Sequence, residues 1–199
     1  MDFHYTKDFI EIKDKHLSKL DEFVFDFIKV IENNVKYVIV SGYVAILFGR
    51  NRSSEDIDIF IEKITFNSFS SMWNEISKDF ECINTPDVKN AYDSYLSESL
   101  ALRFAKKNTF IPNIELKFPK VDLDFWTLSE CKKVIINNKI LFISPLELEI
   151  PYKLFLGSEK DIEDALYLFN VFEDYLDMNM FSEFNRKLKT QKLFNAYIK

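Results

Sequence analysis

The chain is poor in the residues on which many enzymes depend, and each shortage excludes a class of chemistry. It has only two histidines, and both, His4 and His16, lie near the N-terminus. This argues against a serine or cysteine nucleophile activated by histidine and against a zinc site. The two cysteines, Cys82 and Cys131, have no metal-ligand spacing and suggest no disulfide framework. Any catalysis is therefore expected to use carboxylates, lysine, arginine and a hard metal ion.

Glycine, proline and long apolar runs are also scarce. Three glycines and five prolines predict regular elements joined by few long loops. No apolar run is long enough to span a membrane, and the first residues lack the basic-then-apolar order of a signal peptide. A hydrophobic fraction of 47% with 21 phenylalanines is ample for a core. We therefore expect a cytoplasmic protein with one α/β domain, or one such domain plus a helical appendage.

The most informative stretch covers residues 40–60. It predicts a buried strand that ends in the small pair Ser41-Gly42, then a short helix and a second strand that begins at Asp56. Alternation along that strand places Asp56 and Asp58 on one face, roughly 7 Å apart. Neighbouring carboxylates repel each other, and a divalent cation relieves the repulsion. Hard oxygen ligands on a rigid strand suit magnesium that also holds substrate phosphates.

This pattern resembles the nucleotidyltransferase superfamily related to DNA polymerase beta, whose signature is a hydrophobic strand, a small-residue pair, a short spacer and Asp-x-Asp. Ser41-Gly42 matches the small pair and Asp56-Ile57-Asp58 the acids. Residues 48–56 resemble more specifically the abortive-infection type of toxin nucleotidyltransferase and its archaeal and bacterial relatives. The resemblance implies an α/β (α+β) fold: a small mixed-sheet core flanked by helices over residues 1–143, then a C-terminal helical region over 144–199.

A third acid is expected on a neighbouring strand. Residues 100–105 and 114–118 predict a hairpin, and in its second strand Glu115 lies opposite an apolar face. If these strands join the acidic strand in one sheet, Glu115 converges with the two aspartates, where the superfamily has its third acid. The alternative is that Glu115 is an ordinary solvent-facing residue. Asp122 and Asp124 are fallback candidates, although their context predicts the start of a helix.

Periodicity and end signals predict the remaining elements. Helices are expected over residues 15–33, 66–76 and 86–96, and a hairpin over 134–143. Everything beyond Ser144 is expected to be helical. Pro151 should kink or split the first of these helices because it lacks an amide hydrogen.

A second constellation follows in the C-terminal region. In a purely structural interpretation, Asp161 closes a capping box with Ser158, and Lys160 pairs with Asp164. However, a cation in the first turn followed by its acid is the unfavourable order for the helix dipole. In the toxin-type family an earlier lysine and a Lys-Asp-x-x-Asp motif border the nucleotide site. Lys153 and the segment from Lys160 to Asp164 match that pattern.

The resemblance implies transfer of a nucleotidyl group from a nucleoside triphosphate, such as ATP, to a hydroxyl, with release of pyrophosphate. It implies two Mg²⁺ ions, with Asp56, Asp58 and Glu115 as catalytic metal ligands. The residues expected to contact the nucleotide are Ser41, Gly42, Arg52, Lys153, Lys160, Asp161 and Asp164, with Arg50 as a further phosphate ligand.

The acceptor and the partners are less closely defined. No acid occurs after Glu183, whereas five cationic residues follow: Arg186, Lys187, Lys189, Lys192 and Lys199. Such a basic end can attract nucleic acid, which favours RNA, including tRNA, as acceptor, although a solvated helix face explains it equally. A protein hydroxyl, as in AMPylation, is the alternative acceptor. A non-catalytic nucleotide- or partner-binding module is the alternative of another class, and the toxin resemblance implies an antitoxin as a partner.

Overall fold

Nine strands within residues 2–198, the part of the chain that this computed structural model describes, join in one mixed sheet. They are β1 (Asp2–Tyr5), β2 (Phe9–Lys13), β3 (Tyr37–Val40), β4 (Asp56–Ile61), β5 (Phe80–Cys82), β6 (Leu102–Lys106), β7 (Asn113–Lys117), β8 (Lys132–Ile136) and β9 (Lys139–Ile143). Their spatial order is β1-β2-β8-β9-β3-β4-β7-β6-β5, with β2/β8, β3/β9 and β4/β7 parallel. The predicted mixed α/β fold is confirmed, with a wider sheet than expected.

Helices fill most of the remaining chain. They are α1 (Lys19–Ile31), α2 (Gly42–Leu47), α3 (Phe66–Ile76), α4 (Val88–Asn90), α5 (Asp122–Ser129), α6 (Leu146–Leu156), α7 (Glu159–Phe172), α8 (Met178–Leu188) and α9 (Gln191–Tyr197). A π-helical turn, Ala91–Leu96, follows α4, and a 3₁₀ turn, Glu173–Tyr175, follows α7. No helix among residues 2–198 is both long and apolar enough to cross a membrane.

Local signals explain where several elements begin and end. Ser18 caps α1 by accepting a hydrogen bond from the Asp21 amide at 3.1 Å, and Asp21 returns the contact to the Ser18 amide. The β8–β9 turn holds Asn137 and Asn138 at positive φ, as a two-residue hairpin turn requires. Gly157 ends α6 in the left-handed conformation. The hairpin predicted over residues 134–143 is confirmed, whereas the helix predicted over 15–33 begins only at Lys19 and ends at Ile31.

Of the two outcomes predicted for Pro151, a split of the first C-terminal helix was wrong, because α6 runs through Pro151 from Leu146 to Leu156, and a kink stays a prediction. Proline removes one backbone hydrogen bond from the helix. The neighbouring Ile150 and Leu154 side chains are fully buried in the core, and their burial outweighs that loss. The helix is therefore maintained by tertiary packing.

One hydrophobic core combines residues from both sides of position 143. Phe48, which follows α2, contacts Phe172 of α7 with ring centroids 4.7 Å apart, and Phe3 of β1 contacts both rings. The C-terminal helices thus pack against the end of α2 and the first strand. This packing places α6 and α7 next to the turn between β3 and α2.

Candidate active-site cleft at the acidic strand

A row of polar side chains crosses three adjacent strands. Asp58 of β4 is in register with Glu115 of β7, and Glu115 is in register with Arg103 of β6. Paired residues on neighbouring strands share one face of a sheet, so these side chains lie side by side. Ile57 and Ile59 point to the opposite, fully buried face. The structure therefore brings Glu115 beside Asp58, as the alternation predicted.

Lys117 joins this row from the next same-face position of β7. Its Nζ lies 2.5 Å from Asp58 Oδ1 and 3.2 Å from Glu115 Oε2. Arg103 donates to Glu115 Oε1 from Nη2 at 2.7 Å and from Nε at 2.9 Å. Both oxygens of Glu115 are thus engaged, whereas Asp56 is exposed. The sequence assigned no role to Lys117, although alternation places it on the polar face.

The charges of this row do not cancel. Burial raises the pKa of Asp58, and the Glu115 and Asp56 charges add to the rise although Lys117 opposes it. Burial disfavours the charged form of Lys117, but the carboxylates of Asp58 and Glu115 outweigh burial, so the pKa of Lys117 is raised. The contacts with Arg103 and Lys117 outweigh burial at Glu115 and lower its pKa. Three carboxylates face two cations, so the site keeps negative charge and attracts a further cation.

Asp58 and Lys117 line a cleft of about 220 Å³ that the sheet forms with α5 and α6. Its polar lining is completed by Ser41, Asp124, Thr127, Ser144 and Glu149, and its apolar lining consists of Val40, Phe60, Leu123, Leu148, Leu156 and part of Tyr152. A larger groove of about 1050 Å³ lies beside α1 and residues 49–55, but none of the three acids lines it. Because Asp58 lines the smaller cleft and not the larger groove, the smaller cleft is the candidate active site.

Glu149 is a functional candidate that the sequence analysis missed. Its side chain is buried in the cleft wall, and its Oε1 has no hydrogen-bond partner among the described atoms. Burial raises its pKa to about 7, against the opposing effects of Lys153 and of hydrogen bonds from Ser144 and the Ser41 amide. The only sequence signal is an acid one helical turn before Lys153. An unpartnered carboxylate oxygen can accept a hydrogen bond from a bound ligand.

The turn between β3 and α2 is strained at Ser41. This residue has φ 65° and ψ −138°, a region that residues other than glycine rarely adopt. Its neighbour Gly42 lies against the guanidinium of Arg52, which a Cβ at position 42 would meet. Val40, at the end of β3, is in register with Asp58. The strained turn is therefore adjacent to the acidic strand, where such strain is typical of a functional site.

The second predicted constellation forms a buried ionic cluster around Asp164. Its carboxylate has no exposed surface and contacts Lys153 Nζ at 2.9 Å, Arg50 Nε at 2.8 Å and Arg52 Nη2 at 2.9 Å. Lys153 is equally buried and lies 3.5 Å from Asp161. The structure thus brings together five of the residues predicted at the nucleotide and connects them to one another. Their contact with a nucleotide stays a prediction.

Lys160 lies apart from this cluster. The purely structural alternative, in which Lys160 pairs with Asp164, was wrong, because Asp164 points into the protein toward Lys153. Lys160 is exposed and does not line the cleft. Asp161 does close a capping interaction with Ser158, whose hydroxyl accepts from the Asp161 amide at 3.2 Å. The Ser158 cap is therefore confirmed, but the Asp161 carboxylate accepts from the Ser158 hydroxyl instead of its amide, so the predicted capping box forms only in part.

The remaining candidates are placed as follows. Asp122 begins α5, and Asp124 accepts hydrogen bonds from the Lys120 and Val121 amides, as a helix start predicts. Arg186 and Lys187 lie in α8, Lys189 caps its C-terminal end and Lys192 lies in α9. Lys187 pairs with Glu183 at 2.7 Å. Lys199 lies outside the described residues.

The carboxylates fit one divalent cation better than two. Between residues 2 and 198, no group of three or more His, Cys, Asp or Glu side chains is arranged to hold a metal. Asp56 and Asp58 offer hard oxygen donors in a negatively charged setting, as magnesium requires. Glu115 does not complete the set in this arrangement, because Arg103 and Lys117 engage both of its oxygens.

No protein-family model matches the chain, and no curated protein matches it in sequence. Among solved structures, it is similar to an antigenic nucleotidyltransferase-like protein from Paracoccidioides brasiliensis, with a TM-score of 0.51 and 16% identity over 89% of this chain and 90% of that one. It is also similar to the antibiotic-resistance factor ANT(2'')-Ia, with a TM-score of 0.53 and 9% identity over 88% and 94% of the two chains. These likenesses show a nucleotidyltransferase-like fold.

Proposed function

We propose that the chain transfers a nucleotidyl group from a nucleoside triphosphate to a hydroxyl acceptor in the cleft beside Asp58. One observation carries the proposal: on a nucleotidyltransferase-like fold, Asp58 and its neighbour Asp56 lie beside the strained turn at Ser41. Folding alone gives no reason to combine clustered acids with a strained turn. Attack of the acceptor hydroxyl on the α-phosphorus of a triphosphate needs both a cation site and a close approach of the backbone to the phosphates.

In this reaction the acceptor oxygen bonds to the α-phosphorus, and the bond from that phosphorus to the bridging β-oxygen breaks. Pyrophosphate leaves, and the hydroxyl proton passes to a nearby base or to water. Asp56 and Asp58 would hold a magnesium ion, which supplies charge neutralisation for the phosphates when bound. The turn at Ser41 and Gly42 lets the backbone come close to the phosphate chain. The apolar wall around Tyr152 suits the face of a nucleobase.

The predicted cations have two distinct roles in this proposal. Lys160 is exposed, so its ammonium is accessible to a charged substrate. Lys153 and Arg52 act indirectly, because Asp164 binds both and thereby joins α6, α7 and the loop after α2. Lys153 also lies one helical turn from Glu149 and supports the cleft wall.

The acceptor is proposed to be RNA, which the basic residues of α8 and α9 favour. A protein hydroxyl is the alternative acceptor. A toxin-like role with an antitoxin partner is supported only by the resemblance of residues 48–56. The competing function is a non-catalytic binding module, and the Lys117–Asp58 ion pair favours it because it blocks one acid oxygen.

The test is a transfer assay with each labelled triphosphate and magnesium, offered total RNA and total protein. Label should appear in RNA, and Asp58→Asn should lower the rate at least about 100-fold, because it removes a charged metal ligand. Asp93→Asn is the matched control, since Asp93 is an exposed aspartate that pairs with Lys89. Equal labelling by the Asp58 variant would refute the proposed site. Triphosphate binding without transfer to any acceptor would instead support the binding module.

A further inference from the structure

The cleft already contains a cation that belongs to the protein, the ammonium of Lys117. Its Nζ lies between two carboxylates, 2.5 Å from Asp58 Oδ1 and 3.2 Å from Glu115 Oε2. The Lys117 side chain is only 27% exposed, so most of it is withdrawn from water. A charge-assisted contact of this length in a partly buried site is a strong interaction.

The sheet register explains why this lysine reaches Asp58. Lys117 is paired with Phe60 in the parallel β4–β7 ladder, one same-face step beyond Asp58 and Glu115. Phe60 offers the ammonium no oxygen acceptor, whereas the two acids lie diagonally across from Lys117 and beside it. The lysine therefore reaches back to both carboxylates.

The other contacts divide the three acids unequally. Glu115 has Lys117 on one oxygen and Arg103 on the other, so both oxygens are occupied. Asp56 is exposed, and within residues 2–198 its carboxylate accepts only from the Ser54 hydroxyl, at 3.3 Å. The open coordination sites lie on Asp56 and on Oδ2 of Asp58.

We propose that Lys117 occupies one of the two cation positions of this site, so that the chain takes a single divalent cation at Asp56 and Asp58. This inference rests on the proposed function and specifies its metal requirement. Two-metal sites bind both ions between shared oxygen ligands, and here one of those positions is filled by an ammonium. Because the ammonium is covalently attached, its charge stays present at every metal concentration.

The experiment is a Mn²⁺ titration of the full chain, with free Mn²⁺ followed by electron paramagnetic resonance and no nucleotide present. The wild type should bind one Mn²⁺ per chain. Lys117→Gln should bind a second ion or bind the first about tenfold more tightly, because competition and repulsion are removed. Lys117→Arg keeps the charge and should retain one ion, while Asp58→Asn should abolish binding.

Two ions in the wild type, no ion at all, or an unchanged isotherm for Lys117→Gln would each overturn the inference. If Lys117→Gln does not fold, as judged by circular dichroism, the wild-type stoichiometry decides alone. The transfer assay separates the two proposals. Two bound ions with transfer activity would refute only the inference about Lys117, whereas one bound ion without any transfer would refute only the proposed activity.

Discussion

Lys153 and Asp164 form an ion pair of 2.9 Å between two side chains that have no exposed surface. Arg50 and Arg52 also bind Asp164, so three cations share one carboxylate. Burial opposes the charge of Asp164, but Lys153 and Arg52 outweigh it and lower the pKa of Asp164, which keeps it ionised. One buried charge thus joins α6, which lines the cleft, to α7 and to the loop after α2.

Replacing Asp164 by asparagine should therefore destabilise the fold strongly. The variant removes the nearest charged partner of the buried Lys153 ammonium and leaves only Asp161 at 3.5 Å, and such a loss costs about 3–5 kcal/mol of unfolding free energy. Glu163→Gln is the control, because Glu163 is an exposed partner of Arg50 and should cost less than about 1 kcal/mol. Urea denaturation measures both. Similar losses in the two variants would contradict the special role of Asp164.

The elements that the sequence predicted best depend on local signals. β4 begins at Asp56 and ends at Ile61 because apolar and polar residues alternate there, and α3 begins after a capping Thr65. The same alternation placed Glu115 on the polar face, so its meeting with Asp58 followed once β4 and β7 became neighbours.

The parts that could not be predicted depend on tertiary placement. The reach of Lys117 to Asp58 requires the parallel register of two strands that lie far apart in sequence. The pair of Lys153 with Asp164 requires the packing of α6 on α7, whereas sequence spacing suggested Lys160. The pKa of Glu149 depends on burial, which helical periodicity did not reveal.

Ser41→Gly should stabilise the protein, in contrast to most serine-to-glycine changes. Relief of the strained φ of Ser41 should raise the unfolding free energy by about 1 kcal/mol, since such backbone strain costs roughly 1–3 kcal/mol and glycine gains entropy when unfolded. Ser71→Gly, at an exposed position inside α3, should lower it by about 0.5–1 kcal/mol. The urea midpoints should move in opposite directions, and parallel shifts would refute the strain.

Glu149 should make stability fall as the pH rises. Its folded pKa is about 7 against an ordinary 4.5, so the folded state holds a proton that the unfolded state releases in this window. The unfolded state binds fewer protons there, and the unfolding free energy drops by about 3 kcal/mol across the window. Glu149→Gln cannot titrate, so its advantage over the wild type should grow between pH 4.5 and 7.

The measurement is the unfolding free energy of both proteins at the two ends of that window. Glu159→Gln, an exposed position at the start of α7, should keep the wild-type pH dependence. Parallel curves for the wild type and Glu149→Gln would show that the buried carboxyl does not titrate in this range.

The basic residues after Glu183 should contribute to the binding of an RNA acceptor and not to the binding of the triphosphate. Arg186 and Lys192 are exposed beside one surface groove, whereas Lys187 is partly neutralised by Glu183. The double change Arg186→Gln and Lys192→Gln removes two phosphate-binding charges. It should weaken RNA binding and reduce the slope of log affinity against log salt by about 1.4 if each side chain contacts one phosphate.

The control is the double change Lys7→Gln and Lys29→Gln, which removes two exposed lysines from other surfaces. Filter binding at several salt concentrations gives the slope, and labelling with saturating RNA shows whether the transfer step itself is intact. Equal slopes for both double variants would show that the attraction comes from overall charge. In another outcome, the Arg186 and Lys192 changes abolish labelling of RNA and leave labelling of protein intact. That outcome would assign these residues to binding of the RNA acceptor, because the triphosphate and the acids of the cleft serve both acceptors alike.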